Sequence, residues 1–139
     1  MCSFDIRMVH SNTLQQDHSI RRSQKQVKFL LNEISYHEAI FWYNKALKIN
    51  KNEPDIFFNR GVSLLYLKEY EKALGDFNSA IELVQTNGLY YLNRGIAYYY
   101  LKLYDKACKD WEEAKLLGNK KAVKYLESYC KQSSESLIV

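Results

Sequence analysis

The stretch FFNRGVSLLYLKEYEKALGDFNSA, residues 57–80, is echoed 34 residues later by YLNRGIAYYYLKLYDKACKDWEEA, residues 91–114. Gly61, Ala73, Phe77 and Ala80 of the first recur as Gly95, Ala107, Trp111 and Ala114 of the second, and an aromatic, Phe57 or Tyr91, opens each. A fainter copy lies 34 residues upstream: Ala39, Tyr43 and Ala46 keep the register, but Val27 stands where glycine is expected. Self-similarity at this period, with small and aromatic residues at fixed offsets, predicts antiparallel helix pairs stacked side by side. Such a stack points to a surface that binds another chain, and away from an active site.

Composition agrees. Twelve Tyr against one Pro and five Gly in 139 residues suit a helical array with few breakers and many amphipathic aromatics. The net charge of +4 is a mild excess, and its clusters, Arg21 and Arg22 against Lys120, Lys121 and Lys124, lie at opposite ends of the chain, so nucleic-acid binding is not expected. No segment approaches the roughly 20 apolar residues of a membrane span. Met1–His10 lacks a basic stretch followed by an apolar one, which makes the cytoplasm the expected compartment. His10, His18 and His37 share no helix face with one another or with a cysteine pair. There is no metal-ligand spacing, no glycine-rich phosphate loop and no nucleophile motif. No cofactor, no metal and no enzymatic activity are therefore expected.

Along the chain, residues 1–19 read as a loose leader and 132–139 as a frayed tail. Between them, helices are expected over about 20–33 and 36–49, 54–67 and 71–84, and 89–101 and 105–117, with a last one over about 120–131. Pro54 suits a first helical position, and Gly118 suits the left-handed residue that ends a helix. The final helix carries Lys120, Lys121, Lys124, Glu127 and Lys131 outward and Ala122, Val123 and Leu126 inward, as a cap requires.

The pattern Phe57, Gly61, Leu64, Ala73, Phe77, Ala80, repeated as Tyr91, Gly95, Tyr98, Ala107, Trp111, Ala114, resembles the tetratricopeptide repeat (TPR) family. The stretch Ala107–Leu126 also looks like the related Sel1-like repeat. The resemblance implies an all-α fold, a right-handed α-solenoid of three helix pairs (about 20–53, 54–87 and 88–118) plus a capping helix (119–131). It implies a protein-protein interaction adaptor or scaffold whose first helices line a groove. Carried over position by position, the groove residues are Arg21, Lys25 and Lys28, then Phe58, Asn59, Val62 and Tyr66, then Leu92, Asn93, Ile96 and Tyr100. The groove is thus expected to be basic at one end and aromatic at the other, suited to a peptide or protein segment with acidic and apolar side chains. One class within the family grips a C-terminal carboxylate with Lys, Asn, Asn, Lys and Arg. The matching positions here, Gln24, Lys28, Asn59, Leu89 and Asn93, agree only at Asn59, so that clamp is not expected. The alternative is a self-associating module, a homo-oligomer or a chain whose groove is filled by its own tail.

Cys108 and Cys130 lie at equal distances from the turn at Gly118 and Asn119, so in an antiparallel pair they share a level. Spacing alone leaves two readings, a disulfide or two buried thiols. A disulfide would favour an exported protein with a start other than Met1 over a cytoplasmic one.

Overall fold

The structure, a computed structural model, describes residues 6–131, with side chains at 18, 21, 22, 24–26 and 28–131. The tail 132–139 and the first five residues of the leader lie outside the described residues. The remainder of the leader is helical: α1 spans Ile6–Ile49. It is followed by α2 (Pro54–Tyr66), α3 (Tyr70–Leu83), α4 (Gly88–Tyr100), α5 (Tyr104–Leu116) and α6 (Lys121–Tyr129). The chain divides at Ser35 and Tyr36 into two compact units. The first is the N-terminal run of α1, with Phe29, Leu30, Leu31 and Ile34 all exposed. The second, from Tyr36 onward, is a right-handed helical repeat stack.

Each pair in that stack, α2 with α3 and α4 with α5, closes on a missing Cβ. A Cβ built on Gly61 would lie 2.8 Å from Cε1 of Phe77, and one on Gly95 would lie 2.5 Å from Nε1 of Trp111. Phe77 and Trp111 are the largest fully buried side chains, and Ala73, Ala80, Ala107 and Ala114 around them are wholly buried. The signature residues are core. A polar clamp reinforces each pair. Nε and Nη2 of Arg60 donate to the two carboxylate oxygens of Asp76 at 2.8 and 2.6 Å, while Nη1 donates to Oδ1 of Asn44 on the preceding helix at 2.8 Å. Arg94, Asp110 and Asn78 repeat the arrangement at 2.8, 2.7 and 2.9 Å. The hydrogen bond to its aspartate holds each guanidinium above the usual arginine range, against the opposing cost of burial.

The turn inside each pair is as regular as its core. After α2, Lys68 takes φ 63, its N–H donating to Leu65 and that of Glu69 to Leu64. After α4, Lys102 takes φ 62 with the same two bonds one repeat on. This is the Schellman ending, with its left-handed residue just past the helix. Gly118, at φ 88, ends α5 the same way, as its sequence position suggested.

The first expected pair departs from this plan. Helices over 20–33 and 36–49 were expected to fold back on each other, but α1 runs through the join without a break. The position that becomes Lys68 and Lys102 is Ile34 here, and a β-branched residue in the left-handed region is a steric outlier. Glu33-Ile34-Ser35-Tyr36 holds no glycine or proline to interrupt a helix. Val27 replaces the glycine of the close approach, and Gln26 and Trp42 replace the arginine and aspartate of the clamp. Residues 36–49 therefore serve the stack as a second-type helix alone, packing Ile40 against the Leu64–Phe77 core and stacking Tyr36 on Tyr66 with centroids 4.8 Å apart.

The other end stops for matching reasons. In register, α6 is a first-type helix: Tyr125 stands where Phe57 and Tyr91 stand, and Leu126 where Phe58 and Leu92 stand. Tyr129 then occupies the glycine position and Ser128 the arginine position, so no further helix can close on it by the same means. Tyr129 packs back on Tyr99 instead, at 4.5 Å between centroids. This is the cap expected over 119–131.

Gly95→Ala should lower stability by about 1–3 kcal/mol through overpacking against Trp111. Gly75→Ala, where a Cβ meets nothing within 4 Å on an exposed stretch of α3, should raise it by about 0.5–1 kcal/mol. Urea melts of the two variants check the opposite signs.

Candidate functional site

With the glycine faces of α2 and α4 turned to their partners, the side chains one step round each helix meet the core with only part of their surface. Val62, Leu65 and Tyr66 of α2, Asn93, Ile96 and Tyr100 of α4, Tyr70 of α3 and Lys68 from the turn line a single recess of about 320 Å³. Tyr66 is 64% and Tyr100 56% exposed although each has another tyrosine stacked on one face, Tyr36 on Tyr66 and Tyr70 on Tyr100. Tyr70 lies flat on Tyr100, centroids 4.9 Å apart, which fixes the ring that forms one wall. Nδ2 of Asn93 donates to the carbonyl of Leu89 at 2.9 Å, so the oxygen Oδ1 is the end it offers to the recess.

Five of the residues expected in the groove, Val62, Tyr66, Asn93, Ile96 and Tyr100, are thus brought together. Others fall elsewhere. Leu92 is only 4% exposed and packs with Trp111, Ala107 and Ala122, so it is core rather than contact surface. Phe58, its counterpart one repeat earlier, is half-buried, its ring 5.0 Å from Tyr90 and 5.9 Å from Phe77. Both follow the signature aromatic by one residue, and that step turns them into the layer between neighbouring helix pairs. Asn59 is exposed and lies outside the recess lining. Arg21, Lys25 and Lys28, expected as the basic end of the groove, are exposed at i, i+4 and i+7 along α1, in the first unit. The hairpin that was to present them as a first-type helix does not form. Lys68 and Tyr70 were missed, because the groove positions were taken from the first helix of each pair and these two lie at and beyond its end.

In the structure the sulfurs of Cys108 and Cys130 stand at bonding distance, with their Cα atoms 5.9 Å apart. The position of this pair has a simple origin. Ile40, Leu74 and Cys108 are one register position, Val62, Ile96 and Cys130 another, and each couple is 22 residues apart. The bond ties α5 to α6 at a place where the earlier repeats carry aliphatic side chains. A larger recess of about 680 Å³ lies beside it, between Leu116 of α5 and Val123 and Leu126 of α6. That is the face on which another second-type helix would pack. Among the described residues no group of three His, Cys, Asp or Glu converges, and no helix is long and apolar enough to cross a membrane.

The comparisons with known proteins come to the same architecture. A family model for the TPR repeat matches residues 35–68. The second TPR domain of human RPAP3, solved in complex with the HSP70 peptide SGPTIEEVD, is 30% identical, with a TM-score of 0.67 over 73% of this chain and 87% of that one. The first TPR domain of Spaghetti (RPAP3), bound to the HSP90 peptide SRMEEVD, is 29% identical, with a TM-score of 0.66 over 76% of this chain and 82% of that one. The TPR domain of Arabidopsis OM64 is 28% identical, with a TM-score of 0.62 over 67% and 81%. Among curated protein sequences, none matches significantly.

Reduction of the disulfide should cost about 3 kcal/mol by releasing a 22-residue loop in the unfolded chain. Thermal melts with and without reductant read this loss, and Cys130→Ser should make the protein insensitive to reductant.

Proposed function

Because the chain belongs to the tetratricopeptide repeat family, we propose that it is a non-catalytic adaptor that binds a peptide or protein segment in the groove formed by α2 and α4. The observation that carries this reading is the recess itself. Its aliphatic floor, Val62, Leu65 and Ile96, is half-buried against the cores of the helix pairs, while its two rings, Tyr66 and Tyr100, stay more than half exposed. Apolar surface gathered in this way gains roughly 25 cal/mol per Å² when a partner covers it, before ordering costs.

Solved relatives hold the acidic peptides of HSP90 and HSP70. This chain keeps their architecture with different polar equipment. Leu89 and Asn93 occupy two positions that the carboxylate clamp fills with Lys and Arg, and neither offers a cation. Recognition here rests first on apolar burial, with charge in a supporting role, which supports a ligand whose side chains are both apolar and acidic. The compartment bears on which partners are met. A disulfide persists in oxidising surroundings and is rare in the reducing cytosol, so Cys108–Cys130 favours the exported alternative over the cytoplasmic one.

Selection of linear peptides from a random phage-displayed library tests the groove. Peptides selected on the wild type should bind Tyr66→Ala, which removes the most exposed ring of the recess, at least tenfold more weakly, about 1.4 kcal/mol, with the helical fold retained by circular dichroism. Equal affinity for both would place binding elsewhere. The self-association reading makes a different prediction: a mass that rises with concentration, measured by light scattering.

A further inference from the structure

We propose that Lys68 is the residue that reads charge in this groove, so that the bound segment carries an acidic side chain beside the apolar one that fills the recess. The proposal rests on the peptide-binding reading above and adds to it a chemical class of ligand and the residue that selects it.

The backbone supplies the first argument. Lys68 sits at φ 63, in the left-handed region that glycine adopts at least cost. The chain does use glycine for this turn when no side chain is wanted: Gly118 ends α5 in the same conformation, with open space where a Cβ would stand. After α2 a long cation has been placed on the strained position instead. Lys102 shares that conformation in the next turn, so what sets Lys68 apart is its place in the lining of the recess.

Electrostatics supplies the second. The other cations near the pair are committed: Arg60 to Asp76, Arg94 to Asp110, and Lys72 to Glu69, the carboxylate next in sequence to Lys68. Lys68 is exposed and makes no ion pair among the described residues. Among the described residues it is the only charged side chain in the recess lining. Around it are phenols, an amide oxygen and aliphatic carbons, so its charge is left to be met by a ligand. An ammonium at the rim of an apolar recess favours a carboxylate one or two residues from the buried side chain, and contributes orientation and on-rate more than raw affinity.

Lys102 provides an internal control. It takes φ 62 in the equivalent turn but does not line this recess. The experiment selects a random phage-displayed library of linear peptides on wild type, Lys68→Gly and Lys102→Gly. The wild-type and Lys102→Gly pools should be enriched several-fold in Asp or Glu adjacent to Leu, Ile, Met or Phe. The Lys68→Gly pool should keep the apolar preference and lose the acidic one. Both glycine variants should melt at or above the wild-type temperature, because each relieves a left-handed lysine. Acidic enrichment that survives Lys68→Gly, or that is absent from the wild-type pool, overturns the assignment of Lys68 and leaves the groove standing. Selected peptides that Tyr66→Ala fails to weaken overturn the groove and this proposal together.

Discussion

The approach of an aromatic ring to a helix that lacks a Cβ is the contact on which the rest of this structure depends. At Gly61 and Gly95 the ring of Phe77 or Trp111 fills the space a methyl group would need. That closeness brings Arg60 and Arg94 within fork reach of Asp76 and Asp110. A bidentate arginine pair tolerates little error in the spacing of its two helices, so it works as a gauge of a distance that the glycine sets. Broken by removal of one partner, such a half-buried pair would leave a charge uncompensated, and its presence therefore specifies the pairing more than it adds to stability.

Where that contact fails, the array ends. The glycine of the contact is replaced in the sequence by Val27 on one side and Tyr129 on the other, and the clamp residues are gone at the same two places, Gln26 with Trp42 and Ser128. The two ends nevertheless differ. At the C-terminal end the chain supplies a substitute, with Tyr129 laid across Tyr99 and a disulfide standing where earlier repeats carry aliphatic residues. At the N-terminal end Ile34 removes the turn as well, and the helix continues. A repeat thus needs three things together: a gap for the ring, a charge pair to set the distance, and a residue that tolerates the left-handed turn.

The 34-residue period, the identity of the core and the terminal cap were legible in the sequence because each is carried by residue type at fixed spacing. Ala73, Phe77, Ala107 and Trp111 have no other explanation at those offsets. The unbroken α1 was not legible in the same way. Residues 20–33 and 36–49 each satisfy helical periodicity, and periodicity is silent on whether a turn lies between them. The signal was present in a single residue, since Ile34 aligns with Lys68 and Lys102 only once the turn conformation is known. The clamp was visible as an Arg, Asp and Asn recurring in step, although its geometry was not. Phe58 and Leu92 misled because a groove position and an inter-pair position differ by one step round a helix, and a transferred pattern does not resolve that step.

The groove follows from the same constraint that builds the stack. Because glycine and alanine let paired helices approach so closely, a first-type helix spends one narrow face on its partner and another on the neighbouring pair, leaving a third only partly covered. On that third face Val62 and Ile96 also pack inward, while Tyr66 and Tyr100 are more than half exposed. Exposure alone would favour wet, polar residues there, as on the outer side of α3 at Glu71, Lys72 and Asn78. Exposed rings on one side of the stack, with charged residues on the other, are an asymmetry that folding does not require. The proposed burial against a partner would account for it. The affinity that such a surface can offer is governed by how much of those rings a ligand covers, while its choice among ligands falls to the few polar atoms left unpaired at the rim.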